Sequence, residues 1–290
     1  MRFLPGDVVQ VMLGTEAQLA PEQRETLYRL LGLDAPVHVQ YLRWLGAALT
    51  GDLGVSLRTA EPVARLIGQR LPVTLELACL ATALAWLVAV PLGTLAALRR
   101  NRGWDGLAHL VGLVGLSVPN FWLATMLLLV TSLYLRWQPL GEWASPFVRP
   151  LVNLEQVLLP VLSLAAALVA VVMRMTRSSM LEVLGQDYIR TARAKGVDET
   201  RVVARHAFTN AAIPVVTVMG LQVGYLLGGA VVVESIFGLP GLGWVILQGI
   251  YQRDYPVVQG AVLFVAVVFV LVNLAVDLGY AWLDPRIRYE

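Results

Sequence analysis

The sequence has little charge and almost none of two residue types. Asp, Glu, Lys and Arg make up 14% of the 290 residues, whereas an average soluble domain has about 25%. Cys79 is the only cysteine, which excludes a disulfide within the chain and argues against a cysteine-based metal site. Lys195 is the only lysine, and the formal net charge is only +2. So small a basic surplus gives no indication of a nucleic-acid partner.

Long apolar runs dominate the chain instead. Hydrophobic residues make up 57% of it, and the mean hydropathy is +0.67. An α-helix needs about 20 apolar residues to cross roughly 30 Å of hydrocarbon. The sequence therefore predicts an all-α polytopic membrane protein with five spans, at residues 75–98, 107–135, 157–173, 211–233 and 257–283. Pro119 interrupts the second span, which predicts a kink or a short break there.

The distribution of basic residues predicts the orientation. The loops after the first and third spans and the C-terminal tail hold twelve of them, whereas the alternate loops hold three. Because loops retained in the cytoplasm carry the excess of Lys and Arg, residues 178–210 and the tail at 284–290 are predicted to be cytoplasmic. Residues 1–71 have ordinary charge density and are predicted to form an extracytoplasmic segment before a membrane domain at 72–283.

That orientation leaves the N-terminal segment without a means of export. Residues translocated across a membrane normally follow a spanning helix or a signal, and Met1 leads directly into FLPGD at residues 3–7, without an apolar core. We therefore expect a first helix upstream of the printed sequence.

The loop at 178–210 has strong helix punctuation. Asp187 is predicted to cap a helix that starts at Tyr188, and Gly196 is suited to a left-handed position after it. Asp198 is predicted to cap a second helix that runs toward His206. The result is a pair of short helices hinged at Gly196, whose small and basic residues suit docking to a partner. The alternative is a solvated loop that is basic only because it is cytoplasmic.

This loop resembles a known signature. Its sequence is DYIRTARAKG at 187–196, RHA at 205–207 and NAAIP at 210–214, and it is similar to the coupling loop of binding-protein-dependent ABC permeases. Within that superfamily it resembles the first of the two permease subunits of the dipeptide, oligopeptide and nickel branch. The resemblance extends along the chain through LPGD at 4–7, GDLG at 51–54, LPVTLEL at 71–77, SVPNFWLA at 117–124, ESIF at 234–237, LPGLG at 239–243, RDYPVVQG at 253–260 and DPRIRY at 284–289.

The loop departs from the general permease pattern at two places. That pattern has Glu-Ala-Ala before the glycine, and only Ala192 remains here, with Arg190 and Thr191 in place of the first two residues. His206 occupies a position where the general pattern has isoleucine. Both departures fit the peptide branch.

The resemblance implies a type I ABC importer permease fold with six spans, the first of which is missing from this sequence. It implies a multi-pass protein of the bacterial inner membrane that works with a second homologous permease, two ATPase subunits and an extracytoplasmic binding protein, among membrane lipids. The residues that it assigns to ATPase coupling are Asp187, Arg190, Ala192, Arg193, Ala194, Lys195, Gly196, Arg205 and His206. The implied cargo is a di- or oligopeptide, with a nickel chelate or another small solute as the alternative.

Several expectations are negative. The sequence has no Gly-x-x-x-x-Gly-Lys-Ser/Thr phosphate-binding loop, so ATP and Mg²⁺ are expected on partner ATPases and the chain is expected to have no cofactor, metal or catalytic site. A polytopic membrane enzyme would need intramembrane acid or histidine pairs, and a channel or ion-driven transporter would favour inverted repeats. We find neither pattern in the sequence.

A few residues within the spans have two interpretations each. Gly220, Gly224 and Gly228 are spaced four apart on one helix face, which predicts close helix packing or a moving helix beside the pathway. Glu76 is expected to pair with a residue such as Arg70 or to lie near the substrate path. Asn120 is expected to bond backbone groups freed at the break or to face the pathway.

Overall fold

The structure is a computed structural model that describes residues 35–139 and 141–283. Within these residues it is almost entirely helical, and the extended pairing there is a single bridge between Val55 and Pro62. The all-α prediction is confirmed. The helices are α1 (Val37–Leu49), α2 (Val63–Leu98), α3 (Gly103–Ser117), α4 (Asn120–Leu135), α5 (Pro150–Leu184), α6 (Asp187–Ala194), α7 (Glu199–Arg201), α8 (Phe208–Phe237), α9 (Leu242–Tyr251) and α10 (Tyr255–Leu283), with a π-helical turn at Val202–Ala207 joining α7 to α8.

Four helical stretches in the described part are long and apolar enough to cross a membrane. They are Val63–Leu98, Pro150–Leu184, Glu199–Leu226 and Tyr255–Val276, and two sharply bent pairs raise the number to as many as six. One pair is α3 with α4, at 99°, and the other is Ala230–Phe237 with Leu242–Tyr251, at 81°. The first, third, fourth and fifth predicted spans thus overlap the four long stretches, and the second lies on the α3–α4 pair.

The break between α3 and α4 is sharper than a kink. Val118 and Pro119 both have extended backbone, and proline has no N–H to continue the helical hydrogen bonds. The chain therefore leaves α3 and restarts as α4 at Asn120, almost perpendicular to it.

The centre of the fold is the contact between α2 and α5. Ala81, Ala85 and Ala89 recur every four residues on α2 and are fully buried. At Gly93, one step further along, an added Cβ would lie 2.6 Å from the backbone oxygen of Met173 on α5. A stripe of such small residues lets two apolar helices approach closely.

Two predicted boundaries differ from the helix ends. The first span belongs to a helix that begins at Val63 and continues through Pro72, so the boundary predicted at residue 72 lies inside α2. The region from 234 to 256, predicted as a connection, contains the end of α8 and all of α9, because α8 ends at the left-handed Gly238 and α9 restarts after Gly241. Residues 1–34 of the predicted N-terminal segment and the tail at 284–290 lie outside the described residues.

Candidate functional site

The predicted coupling loop is mostly helix. Residues 178–184 are the last turns of α5, and α7, the π-helical turn and α8 follow one another from Glu199 onward. The predicted second helix therefore does not end near His206 but continues into the fourth span. What remains between the two long helices is residues 185–198, which we call the coupling element.

The turn after α6 has the geometry predicted at Gly196. The φ angle of Gly196 is +77°, its N–H donates to the oxygen of Arg193 at 2.9 Å, and the N–H of Val197 donates to the oxygen of Ala192 at 3.3 Å. These two bonds form the Schellman motif that ends many helices at a glycine. A Cβ added at Gly196 would meet nothing within 4 Å, so the turn faces open space.

The two aspartates of the element behave differently. Asp198 accepts the N–H of Thr200 at 3.0 Å and caps the second helix as predicted. The prediction that Asp187 caps the first helix is wrong by one residue, because the backbone of Gln186 is extended and takes the capping position. Asp187 instead lies in the first turn, where an acid is favoured by the helix dipole, and its Oδ1 is 3.1 Å from the Nη1 of Arg190.

One face of α6 is anchored to the bundle. Ile189 is fully buried, and Ala192 is half-buried behind it. Ala192 therefore packs partly inward and is less accessible than the other predicted coupling residues of this helix. The cluster that holds this face contains Ala97, Met180, Ile189, Val202, Ala207 and Ala211.

The opposite face of the element is basic and open. Arg190, Arg193, Ala194, Lys195 and Gly196 are all exposed. Farther along, on the π-helical turn, the last two predicted coupling residues also lie near the surface, Arg205 exposed and His206 half-buried.

An ion pair braces the Gly196 turn. The Nε and Nη2 atoms of Arg193 lie 3.0 and 2.6 Å from the carboxylate oxygens of Glu199, and this hydrogen bonding raises the pKa of Arg193. Because both side chains are largely exposed, the pair contributes little to global stability, about 0.2–1 kcal/mol. Its geometric effect is to join α6 to α7 across the turn.

A buried ion pair near the coupling element was not found from the sequence. The carboxylate of Asp105 on α3 accepts from the Nε of Arg177 on α5 at 2.5 Å and from its Nη2 at 3.0 Å. The backbone N–H of Asn101 also donates to Asp105, at 2.9 Å. The sequence feature that could have indicated this pair is Asp105 itself, a lone acid at the start of an apolar helix. Such an acid needs a partner.

The other end of the bundle is closed by a buried carboxylate. Glu234 is completely buried and accepts from the hydroxyl of Thr74 at 2.6 Å and from the backbone N–H of Trp244 at 3.1 Å. The hydroxyl of Thr74 in turn accepts the N–H of Leu242 at 2.8 Å. This network ties α2, α8 and α9 together. In the sequence, Thr74 and Glu234 are notable only as parts of the LPVTLEL and ESIF motifs.

A second buried carboxylate fastens the segment before α2. Asp254 accepts from the hydroxyl of Ser56 at 2.5 Å and from the N–H of Leu57 at 3.3 Å. Two distant motifs, around Gly54 and Asp254, are therefore adjacent in the fold.

Glu76 and Arg70 do not form the pair expected of them. The indole Nε1 of Trp143 donates to the Oε2 of Glu76 at 2.9 Å, whereas the guanidinium carbon of Arg70 lies 5.5 Å from the ring centroid of Trp244. Asn120 begins α4 with its side chain half-buried, and the cap residue before it is Pro119.

The three glycines of α8 differ in their surroundings. An added Cβ at Gly220 would overlap the methyl groups of Val276, and one at Gly224 would lie 2.7 Å from the ring of Phe269. Both glycines therefore lie against α10. Gly228 has nothing within 4 Å of that position, so within the described residues the close approach is seen at Gly220 and Gly224, and close packing at Gly228 stays a prediction.

No metal centre appears in the described part of the chain. Residues 35–139 and 141–283 contain no group of three or more His, Cys, Asp or Glu side chains placed to hold an ion. The arrangement is that of a helical membrane bundle with a structured, basic element carried between two long helices.

That arrangement occurs in a known class of membrane protein. The fold matches a solved structure described as an inward-facing conformation of the MetNI methionine ABC transporter, with a TM-score of 0.63 and 17% identity, covering 76% of this chain and 96% of that chain. The structure thus has the fold of a type I ABC importer permease.

Sequence comparisons assign the family. The chain belongs to the family of binding-protein-dependent transport system inner membrane components, which matches residues 89–289. It is 42% identical to the dipeptide transport system permease protein DppB of Escherichia coli K12, and 44% identical to a putative peptide transport system permease protein of Brucella abortus 2308. It is also 42% identical to the oligopeptide transport system permease protein AppB of Bacillus subtilis 168. Each alignment covers 100% of this chain and 92% of the relative. Membership implies an inner-membrane protein that works with ATPase and binding-protein partners.

Proposed function

We propose that this chain is one of two homologous permease subunits of an ATP-driven importer, and that it forms part of the translocation pathway for di- or oligopeptides delivered by an extracytoplasmic binding protein. The support for the substrate class is that relatives from Escherichia, Brucella and Bacillus, each 42–44% identical over the whole chain, are named for peptide transport.

The observation that carries the transport mechanism is the construction of the coupling element. Its inward face is anchored through Ile189, and its outward face is basic, with open space beside Gly196. Because the element continues into α5 on one side and α7 on the other, a partner that moves it displaces two long helices. ATPase subunits that close on ATP would therefore shift the permease between two states by rigid-body motion.

The ion pair between Asp105 and Arg177 extends this coupling. Arg177 lies on α5 near the coupling element, and Asp105 lies at the start of α3. Movement of α5 is thereby passed to the bent α3–α4 pair, which has no direct connection to the coupling element along the chain.

The subunits of the proposed importer have different roles. Two ATPase subunits bind ATP and Mg²⁺ and perform the hydrolysis, since this sequence has no phosphate-binding loop. This chain binds no cofactor and performs no catalysis, and its C-terminus and coupling element face the cytoplasm. A second permease completes the pathway across the membrane.

Reconstitution tests the proposal. The permease pair, its ATPases and its binding protein are purified and placed in proteoliposomes, and uptake of a labelled dipeptide is measured with and without ATP. We expect ATP-dependent uptake that requires the binding protein. A complex with an ATPase unable to hydrolyse ATP is the control and should not accumulate peptide. Uptake of a nickel chelate without uptake of peptide would overturn the substrate class, and uptake without ATP would overturn the mechanism.

A further inference from the structure

A polar cavity lies at the end of the bundle opposite the coupling element. Its volume is about 640 Å³, within the range of roughly 300–1,000 Å³ that is usual for small-molecule sites. The position follows from α2, because Ala97 of α2 packs near the coupling element while Arg70 of α2 lines the cavity. The 27 residues between them span about 40 Å of helix. Polar and aromatic groups on its wall include Gln69, Arg70, Glu142, Trp143 and Trp244.

Arg70 is the unusual group in this wall. Its Nε atom is buried and has no hydrogen-bond partner among the described residues, and its guanidinium group lies over the ring of Trp244. A buried donor without an acceptor is unfavourable, so a ligand that supplies an acceptor to this Nε gains binding free energy. The planar guanidinium matches a carboxylate, which can accept two parallel hydrogen bonds from it.

The cavity also has an acid on its wall. Glu142 is exposed, and its backbone oxygen is held by the Nε2 of Gln156 at 2.8 Å. Residues of both charge signs therefore line one cavity, and Arg70 and Glu142 do not form an ion pair with each other within the described residues. A ligand with one negative and one positive end is complementary to such a wall.

The aromatic groups beside these charges are fixed in place. Trp143 is held by its hydrogen bond to Glu76, and the backbone N–H of Trp244 is bound to the buried Glu234. Because the supporting bonds already exist without a ligand, the walls are preorganised, which lowers the entropic cost of binding.

We propose that this cavity receives a zwitterionic peptide, with Arg70 bound to the α-carboxylate, Glu142 bound to the α-ammonium group, and Trp143 and Trp244 flanking the chain between them. The inference rests on the proposed function, because the cavity would hold the cargo before it passes toward the coupling end.

Transport by variants of the reconstituted complex tests the site. Uptake of labelled alanylphenylalanine is measured at increasing concentrations of loaded binding protein, alongside ATP hydrolysis stimulated by that protein. We expect Arg70→Gln to lower the uptake rate about tenfold, the effect of losing one charged hydrogen-bonded contact, while stimulated hydrolysis stays near the wild-type rate. Arg70→Lys keeps the positive charge but loses the planar guanidinium that donates two parallel hydrogen bonds. Its uptake rate should lie between those of the wild type and Arg70→Gln.

Matched controls separate this role from structural damage. Arg65→Gln removes the same charge from an exposed position on the same helix and should leave uptake unchanged. Glu142→Gln, on an exposed side chain, should lower uptake severalfold even if Arg70→Gln fails to assemble, whereas Glu155→Gln, exposed on α5 and outside the cavity, should not.

The outcomes against the site are distinct. Wild-type uptake in both Arg70→Gln and Glu142→Gln would overturn it, and so would a parallel loss of uptake and stimulated hydrolysis in both, which would indicate a docking role. A wild-type complex that takes up no dipeptide would overturn the proposed function itself, and this site with it.

Discussion

Asp105 and Arg177 are 72 residues apart in sequence and form a two-pronged ion pair, with Nε to Oδ1 at 2.5 Å and Nη2 to Oδ2 at 3.0 Å. The pair joins the start of α3 to α5 seven residues before α5 ends at Leu184. The side chain of Asp105 is only 6% exposed, so its charge depends on this partner. The bent α3–α4 pair is thus fastened to the helix that carries the coupling element.

Asp105→Asn should destabilise the fold. The substitution leaves the guanidinium of Arg177, which is 20% exposed, without its counter-charge. Breaking a buried pair costs about 3–5 kcal/mol, and partial access to water reduces this to about 2–3 kcal/mol. The thermal unfolding midpoint of the detergent-solubilised permease should fall by several degrees.

Asp187→Asn is the matched control for that measurement. It also removes an aspartate from an arginine pair, but the side chains of Asp187 and Arg190 are 92% and 73% exposed. Its unfolding midpoint should stay close to that of the wild type. Equal midpoints for the two variants would show that the Asp105–Arg177 pair does not stabilise the fold.

Gly196→Trp should uncouple transport without blocking insertion. A side chain at φ +77° costs about 1 kcal/mol of backbone strain, and the space around Gly196 is open, so the fold accommodates the residue. The indole would occupy the exposed turn that we assign to ATPase docking. The purified complex should lose peptide uptake and either release its ATPases or hydrolyse ATP without responding to loaded binding protein.

Gly103→Trp provides the comparison. Gly103 also has open space around it but begins α3 and is not part of the coupling element, so its effect on uptake should be milder. Transport by Gly196→Trp at the wild-type rate would refute the docking role of residues 185–198.

The single lysine gives a direct test of orientation. Lys195 is exposed on the coupling element, and the excess of basic residues predicts that this element faces the cytoplasm. A membrane-impermeant amine reagent should therefore modify Lys195 in inside-out vesicles and spare it in right-side-out vesicles. The labelling that remains in a Lys195→Arg variant is the signal from the N-terminal amine, which is subtracted. Labelling of Lys195 only in right-side-out vesicles would invert the predicted topology.

The sequence predicted those features that depend on local patterns. Apolar runs marked the long helices, because membrane thickness sets their length. Pro119 marked the break between α3 and α4, and Gly196 marked the left-handed turn after α6, because each residue has a backbone preference that few others share. Asp198 marked the second cap for the same kind of local reason.

Features that depend on distant partners could not be predicted in this way. The expected partner of Glu76 was Arg70, six residues earlier, but the indole of Trp143 occupies that place. Glu234 meets Thr74 across 160 residues, and nothing in either local pattern specifies that contact. Helix α9 was missed because a run of ten residues between glycine-containing turns resembles a connection when only composition is considered.

Gly220→Ala and Gly228→Ala should have opposite effects, although both replace a glycine with alanine on the same helix. The new methyl group at position 220 would overlap the side chain of Val276 on α10, and such overpacking costs about 1–3 kcal/mol. Gly228 has free space around it, so there the change gains helix propensity of up to about 1 kcal/mol. The unfolding midpoint should fall for Gly220→Ala and stay level or rise for Gly228→Ala.

The double variant Gly220→Ala with Val276→Ala should recover part of the loss, because it removes the methyl groups that collide. A Gly220→Ala midpoint equal to that of Gly228→Ala would contradict the close approach of α8 and α10 at this position.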